Sequence, residues 1–322
     1  EIEKEFRYDG EETCAVDGMC ETACPVRINT GSLVRELRAE HAKPLPTAAW
    51  NFAAKNWALT TKALGFGLTL GSLVPGLKYP RGGKSRKSVK SSGVPTAILF
   101  PSCTGSLFGT SDSSGALMTI AKRAGIEIAV PEGISSMCCG TPWKSKGYFD
   151  GYSTMREIVI PQMLAATKNG ALPIITDASS CSHGLSELLS TDCRFTVMDS
   201  VEFVEKFVAP KLKISKKANS IAVHPTCSTT SMGITNSLKN IASMVSDDVF
   251  IPESWGCCGF AGDRGLTHPE LTASATAKQA EEIKARNTDL YVSANRTCEM
   301  GMTQATGKRY RHIIEVVEEL SR

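Results

Sequence analysis

Residues 97–103 read AILFPSC and residues 221–227 read IAVHPTC, so the same short pattern occurs twice in the chain. Both copies begin with an apolar run and end in proline, a hydroxyl residue and cysteine, and in the second copy His224 stands between the run and the proline. Each copy is then followed by a Cys-Cys-Gly triplet, at residues 138–140 and 257–259. Glycine after the cysteine pair permits a left-handed backbone conformation and a close approach of the chain to a bound group.

A third pair of segments extends the pattern, IITDASSC at residues 174–181 and YVSANRTC at residues 291–298. The four cysteines of the first half therefore recur in the second half, at offsets of 124, 119, 119 and 117 residues. A nearly constant offset in matching local contexts indicates a tandem duplication.

The apolar runs are rich in β-forming residues, and stretches with helical character lie between them. Helices are predicted at Ser113–Gly125 and at Pro269–Asn287, which has proline in its first turn. Alternating strands and helices are typical of an α/β fold with a parallel sheet. Each outer cysteine follows a strand, and open α/β sheets bind ligands beyond the carboxyl ends of their strands.

Length and composition exclude several classes of protein. The chain has 322 residues, which is about two domains. An apolar fraction of 42%, a charged fraction of 21% and a net charge of +3 exclude a disordered or fibrous protein. The sequence contains no run of 18 charge-free apolar residues, so it predicts no simple membrane-spanning helix. It starts at Glu1 without methionine or a signal peptide, and we expect it to be a piece of a longer protein.

The sequence predicts four parts. Residues 1–30 carry a cysteine run, residues 31–92 form a helical and then basic connector, and residues 93–210 and 211–322 are the two repeats. The fold class predicted is therefore α/β, with tandem duplicated cysteine-rich domains after an N-terminal module and a helical linker.

Eight of the twelve cysteines belong to the repeats and are predicted to bind metal: Cys103, Cys138, Cys139, Cys181, Cys227, Cys257, Cys258 and Cys298. Four soft sulfur ligands suit either zinc or an iron–sulfur cluster. The side chains of adjacent cysteines diverge, which favours a cluster with several irons over one small ion. Zinc in one repeat and buried structural thiols are the alternatives. Cys193 has no counterpart in the second repeat, and we expect it in the core.

The N-terminal cysteines resemble part of a ferredoxin run, which reads C-x2-C-x2-C-x3-C-P. Cys14, Cys20, Cys24 and Pro25 fit this pattern, and Asp17 stands where the second cysteine belongs. Cys24 would then ligate a cluster whose other three cysteines lie upstream, while Cys14, Asp17 and Cys20 would hold a second [4Fe–4S] cluster together with one more upstream cysteine. Asp17 is either an oxygen ligand to iron or a solvated turn residue.

Charge is segregated along the chain. No acidic residue lies between Glu40 and Asp112, and this stretch carries nine basic residues: Lys43, Lys55, Lys62, Lys78, Arg81, Lys84, Arg86, Lys87 and Lys90. Aromatic and apolar residues lie beside them, which suits peripheral contact of residues 43–90 with an anionic membrane surface. The alternative is a buried inter-domain helix followed by a solvated linker. The cysteine usage predicts a reducing, cytoplasmic location, peripheral on the inner membrane if the contact exists, and no nucleic-acid partner is expected.

Two histidines lie close to predicted ligands. His183 follows Cys181, and His224 precedes Cys227. Either could donate a hydrogen bond to a cluster sulfur, and a supporting or surface role is favoured over direct ligation.

The repeated units resemble the cysteine-rich (CCG) domains of heterodisulfide reductase, of the glycolate oxidase iron–sulfur subunit and of anaerobic glycerol-3-phosphate dehydrogenase. Residues 8–31, 256–265, 267–273 and 295–299 extend the likeness to the C-terminal part of bacterial FAD- and iron–sulfur-containing D-lactate dehydrogenases. This resemblance implies an electron-transfer module. FAD would lie in an upstream part that oxidises D-lactate or another D-2-hydroxy acid, and the electrons would pass towards a quinone or a cytochrome.

The chain departs from the heterodisulfide reductase pattern at two positions. In that family each unit ends in C-x-x-C and holds a non-cubane cluster with five cysteines, whereas here Ala178 and Asn295 replace the earlier cysteine. Four cysteines per unit favour a [4Fe–4S] cubane, or zinc in one repeat. A disulfide-reducing subunit and a zinc scaffold that docks partners are the alternative functions.

Overall fold

Each half of the chain forms a four-stranded parallel sheet. The strands are β1 (Ala97–Phe100), β2 (Ile128–Ala129), β3 (Ile174–Thr176) and β4 (Val197–Asp199) in the first repeat, and β5 (Ala218–Val223), β6 (Ser246–Phe250), β7 (Leu290–Ser293) and β8 (Tyr310–His312) in the second. In the computed structural model, which describes residues 5–74, 80–109 and 111–322, the sheet orders are β2-β1-β3-β4 and β6-β5-β7-β8. The predicted α/β class and the two cysteine-rich repeats are therefore confirmed.

The helices alternate with these strands. The N-terminal part has a π-helix (Arg7–Glu12) and helices α1 (Met19–Ala23), α2 (Thr30–Glu40), α3 (Pro44–Lys55) and α4 (Trp57–Gly71). The first repeat has α5 (Cys103–Leu107), α6 (Ser113–Arg123), a 3-10 turn (Ile134–Ser136), α7 (Thr141–Lys146), α8 (Phe149–Ala166), α9 (Ser179–Leu189), α10 (Ser200–Phe203), a π-helical turn (Val204–Val208) and a 3-10 turn (Ala209–Lys211). The second repeat has α11 (Cys227–Ser231), α12 (Thr235–Val245), α13 (Arg264–Thr267), α14 (Pro269–Arg286), α15 (Arg296–Thr306) and α16 (Ile313–Leu320).

The central strands place the cysteines at one edge of each sheet. β1 is buried along its whole length and pairs with β2 on one side and with β3 on the other, in register Ile98 to Ile174. The chain order reverses between β1 and β3, and such a switch point is where open α/β sheets bind ligands. Cys103 and Cys181 lie at the starts of the helices that follow these two strands.

The two predicted helices form where the periodicity placed them. α6 begins after Asp112, whose carboxylate accepts a hydrogen bond from the backbone N–H of Gly115, a typical N-cap interaction. α14 begins at Pro269, and Asn287 ends it in the left-handed conformation.

The two repeats are joined by one core cluster that includes residues of both sheets, and their cysteine-bearing loops contact each other. The backbone N–H of Ser179 donates to the carbonyl of Ala294 at 3.0 Å, and the Ser180 hydroxyl donates to the Asn295 side chain at 3.0 Å. The loops after β3 and β7 are therefore in direct contact. The repeats also contact each other elsewhere, where α16 of the second repeat packs against α6 of the first, with an ion pair between Arg123 and Glu318.

The N-terminal helices pack on the first repeat through tryptophans. Trp143, fully buried at the start of α7, lies edge-on to Trp50 and Trp57, and its indole N–H donates to the Trp50 carbonyl at 2.8 Å. α3 and α4 are thereby joined to the loop that carries Cys138 and Cys139.

The connector after α4 contains both exposed and buried basic residues. Lys78, one of its nine basic residues, lies outside the described residues, and Arg86 is buried. Across the described ranges, every helix is too short or too polar to traverse a bilayer. The boundaries of the four-part division remain predictions.

Candidate metal centres

The four thiols of the first repeat form one continuous group. Cys103 begins α5, Cys138 and Cys139 lie in the loop before α7, and Cys181 lies in the first turn of α9. Cys103 lies beside Cys138, and the sulfurs of Cys139 and Cys181 are 3.7 Å apart. All four thiols are buried.

The second repeat assembles its thiols in the same way. The sulfur of Cys227 at the start of α11 lies within 4.8 Å of that of Cys257, and the sulfurs of Cys258 and Cys298 are 3.3 Å apart. Cys258 and Cys298 are buried, while Cys227 and Cys257 are half-buried, and all eight cysteines of the two groups are free thiols. The structure thus brings together the eight residues that the sequence singled out.

The glycines after the two cysteine pairs have the backbone conformation expected of them. Gly140 has φ +81° and Gly259 has φ +66°. A Cβ at Gly140 would lie 2.5 Å from the side chain of Leu188, and one at Gly259 would lie 2.8 Å from the carbonyl of Leu271. Both the left-handed turn and the tight packing therefore require glycine.

A buried arginine lies beside the first group. Arg86 donates hydrogen bonds to the carbonyls of Pro101, at 2.8 Å, and of Met137, which lie on the loops that carry Cys103 and Cys138. The hydrogen bond from Cys138, reinforced by the charge of Arg86, holds the pKa of the Cys103 thiol below its ordinary value despite burial.

An aspartate lies beside the second group. The carboxylate of Asp17, from the N-terminal segment, accepts a hydrogen bond from the Cys227 thiol at 3.3 Å, and one ligand atom from each of Asp17, Cys227 and Cys257 lies within 4.8 Å of the others. The hydrogen bond to Cys257, burial and the negative charge of Asp17 raise the pKa of Cys227. Cys227 is the counterpart of Cys103, so the two groups lie in opposite electrostatic environments.

His224 also belongs to the second group. It is 1% exposed and lies within 4.8 Å of the ligand atoms of Cys258 and Cys298. Its Nδ1 is hydrogen-bonded to the Gln279 side chain at 3.1 Å, while its buried Nε2 has no hydrogen-bond partner among the described residues. Burial lowers the pKa of His224 to about 4, so the ring is neutral near pH 7. A neutral imidazole with one unpartnered nitrogen can ligate a metal or accept a hydrogen bond.

The N-terminal cysteines are more open than those of the repeats. The Cys14 sulfur accepts from the backbone N–H of Val16 at 3.4 Å, and the exposed Cys20 accepts from the Thr30 hydroxyl at 3.3 Å, which lowers the pKa of Cys20. Cys24 is half-buried. The structure places Asp17 against the second repeat, whereas the ferredoxin pattern grouped it with Cys14 and Cys20.

The structure corrects or extends the predictions made for three residues. Cys193 was expected in the core and is exposed, because it lies in the turn after α9. Arg86 was counted with the surface charges and is buried beside the first group. No local signal distinguishes Arg86 from its basic neighbours. His224, which the sequence placed near a predicted ligand, stands where the first repeat has Phe100.

The donor set fits soft metal centres. Eight free thiols in two groups, with an unpartnered buried nitrogen beside one of them, match the ligands of iron–sulfur clusters and zinc. Thiols bind metal as thiolates, and four thiolates so close together are stable only around a cation. The fold and the site therefore define a duplicated α/β protein with a thiol-lined centre in each half.

Comparison with known proteins identifies the family. The cysteine-rich domain family (CCG) matches residues 97–186 and 221–303, and the chain belongs to this family. The chain is 25% identical over 242 residues to lactate utilization protein A of Geobacillus sp. (strain WCH70), covering 68% of this chain and 97% of that protein.

Two further relatives are named as parts of redox enzymes. The glycolate oxidase iron–sulfur subunit of Escherichia coli (strain K12) is 24% identical over 225 residues, which are 65% of this chain and 54% of that subunit. One component of the dihydromethanophenazine:CoB–CoM heterodisulfide reductase of Methanosarcina barkeri is 22% identical over 317 residues, 93% of this chain and 74% of that protein. The resemblance found from the cysteine pattern is thus confirmed at the level of the family.

Proposed function

We propose that the protein is an electron-transfer subunit that holds one [4Fe–4S] cluster in each repeat. The observation that carries this proposal is the assembly of four free thiols in each repeat, at the facing edges of the two sheets. When bound, such clusters accept and donate single electrons over a wide range of potentials. Zinc in one repeat is the alternative for the same ligands.

The residues of this chain would hold and insulate the two centres. The eight cysteines would bind the irons as thiolates, and the left-handed Gly140 and Gly259 let the loops fold closely around them. The contacts from Ser179 to Ala294 and from Ser180 to Asn295 hold the two cysteine-bearing loops together, and electrons would pass from one half to the other across this contact.

We propose that the electrons come from the oxidation of a D-2-hydroxy acid, with D-lactate as the first candidate. The names of two relatives, lactate utilization protein A and the glycolate oxidase iron–sulfur subunit, favour this substrate class. FAD in an upstream domain or subunit would remove the hydride, and clusters ligated in part by Cys14, Cys20 and Cys24 would connect it to the repeats. A quinone or a cytochrome would be the acceptor.

Reduction of a disulfide at one of the centres is a second candidate function. It is favoured by the similarity to a heterodisulfide reductase component over 93% of the chain. Ala178 and Asn295 argue against it, because each repeat then offers four cysteines rather than the five of the non-cubane cluster.

The proposal is tested by spectroscopy on protein purified without oxygen. We expect broad visible absorbance that dithionite bleaches, together with the electron paramagnetic resonance signal of a reduced cluster. A colourless protein with stoichiometric zinc would instead identify a zinc-binding scaffold without redox activity. Consumption of a heterodisulfide by the reduced protein would establish disulfide reduction as the function.

We further propose a cytoplasmic location with peripheral contact to an anionic membrane. Five apolar side chains recur at seven-residue spacing in α3, in α4 and just after α4, with exposed fractions between 59% and 82%: Leu45, Phe52, Leu59, Phe66 and Leu73. Lys55 and Lys62 are exposed one helical turn after Phe52 and Leu59. Apolar side chains flanked by cations suit insertion at the headgroup level of an anionic bilayer.

Vesicle sedimentation tests this contact. The double variant Phe52→Ser/Phe66→Ser should lose binding to phosphatidylglycerol vesicles. Replacing exposed Lys84 and Lys87 by glutamine should weaken binding about fivefold for each charge, at about 1 kcal/mol per residue. Replacing exposed Lys213 and Lys239 in the same way is the matched control. Equal binding by all variants would refute the membrane contact.

A further inference from the structure

Two arginines fix the N-terminal segment against the repeats. Arg38 donates to the carbonyls of Glu11, at 2.7 Å, and of Cys14, at 2.8 Å, and also to the carbonyl of Ser145 in the first repeat. Arg264, buried in the second repeat, donates to the carbonyl of Glu12 at 3.2 Å. The backbone just before Asp17 is therefore held in place by side chains from outside the segment.

The turn that follows directs Asp17 at the second thiol group. Val16 has φ +53° and Gly18 has φ +75°, so Asp17 lies between two left-handed residues. A β-branched residue rarely adopts this conformation. One carboxylate oxygen of Asp17 accepts from the backbone N–H of Met19 at 3.1 Å, which begins α1, and the other is 3.3 Å from the Cys227 sulfur.

A cation between these groups explains their proximity. If Cys227 binds metal as a thiolate, it and the Asp17 carboxylate are two anions in a partly buried site, and their repulsion is relieved when both contact the same cation. The first group has the opposite arrangement, because Arg86 lies beside the counterpart thiols Cys103 and Cys138. A carboxylate at that position is therefore specific to the second repeat.

We infer that Asp17 is a fifth ligand of the second centre and binds, through its free carboxylate oxygen, the iron that Cys227 or Cys257 also binds. The inference rests on the proposed function, since it assumes a cluster at this site. It makes the second centre a mixed sulfur and oxygen site, chemically distinct from the four-thiolate centre of the first repeat. It also makes the N-terminal segment part of that centre.

The test is Mössbauer spectroscopy of protein labelled with iron-57 and prepared without oxygen. The wild-type protein should show one iron subsite with oxygen coordination among otherwise sulfur-ligated irons. Asp17→Asn keeps an oxygen for the Met19 hydrogen bond but removes the charge, so this subsite should change and the midpoint potential of one centre should rise. Asp17→Cys should convert the subsite to sulfur coordination. Asp9→Asn, in the same segment and exposed, should change neither.

The outcomes separate this inference from the proposed function. A wild-type protein without iron would refute the function itself. Two centres with all-sulfur coordination, or identical spectra and potentials for wild type, Asp17→Asn and Asp9→Asn, would overturn the inference alone. Should Asp17→Asn fail to fold, the wild-type spectrum and that of Asp17→Cys still decide it.

Discussion

Arg86 and Asp17 place opposite charges beside corresponding thiols of the two repeats. An added electron makes a cluster more negative, so a nearby cation stabilises the reduced form and a nearby anion disfavours it. Arg86 should therefore raise the potential of the first centre, and Asp17 should lower that of the second. Electrons would then pass from the second repeat to the first.

Replacing Arg86 tests this direction of transfer. Arg86→Met should lower the midpoint potential of one centre, on the order of tens of millivolts, and should destabilise the fold by about 1–3 kcal/mol because two buried carbonyls lose their donor. Arg86→Lys keeps the charge and should retain most of the potential. Redox titration of both variants checks this, with the exposed Lys84→Met as the control. An unchanged potential in Arg86→Met would contradict the electrostatic role.

The buried carboxyl of Asp199 at the end of β4 predicts a pH dependence of stability. Burial raises the pKa of Asp199 from 3.8 to about 6, although Ser182 and the backbone N–H of Val201 both donate to it. The folded protein thus binds this proton more tightly than the unfolded chain. The ionised group costs about 3 kcal/mol above pH 6, and this cost disappears as the pH falls from about 6 towards about 4.

Asp199→Asn should remove this dependence. The amide oxygen can still accept from Val201, so the variant should be more stable than wild type near neutral pH and should lose that advantage on acidification. Denaturant unfolding of both proteins across this pH range measures the difference. If the two free energies of unfolding change in parallel, Asp199 is ionised at no cost.

At the scale of elements, local signals were sufficient for the four strands that precede the outer cysteines, namely β1, β3, β5 and β7, and for the helices α6 and α14. The apolar runs before Cys103 and Cys227 are buried central strands, and the residues just after such strands must lie at the edge of the sheet. Because the cysteine motifs occur in both repeats, the prediction made for one repeat was supported by the other. The positions of Arg86 and Asp17 could not be predicted in this way, because both depend on contacts between segments distant in the sequence.

The loop that carries the cysteine pair offers a test of packing. Gly140→Ala should destabilise the protein strongly, because its Cβ would meet Leu188 at 2.5 Å and Tyr152 at 2.6 Å. Gly307→Ala is the matched control, since Gly307 has φ +71° but open space around the added carbon. We expect about 1–2 kcal/mol for the control and about 1–3 kcal/mol more for Gly140→Ala. Denaturant unfolding that gives equal losses would show that the loop is loosely packed.

At the scale of the whole molecule, the two repeats form one structural unit whose cysteine-bearing loops are in contact. One core cluster includes residues of both sheets, a smaller one surrounds Cys258 and Cys298, and α16 of the second repeat packs on α6 of the first. The family and the duplicated α/β fold were predictable from the sequence, because the cysteine spacing is repeated. The docking of the N-terminal segment onto the second repeat was not, because its anchors, Arg38 and Arg264, form no local pattern.

The iron content of single-cysteine variants tests the central claim, that each repeat holds its own iron–sulfur centre. Anaerobically prepared Cys139→Ser and Cys258→Ser should each lose about half of the iron and acid-labile sulfide bound by the repeats, whereas Cys193→Ser, at an exposed cysteine outside both groups, should lose none. Iron and sulfide contents equal to wild type in both site variants, or a folded wild-type protein free of iron, would contradict the claim.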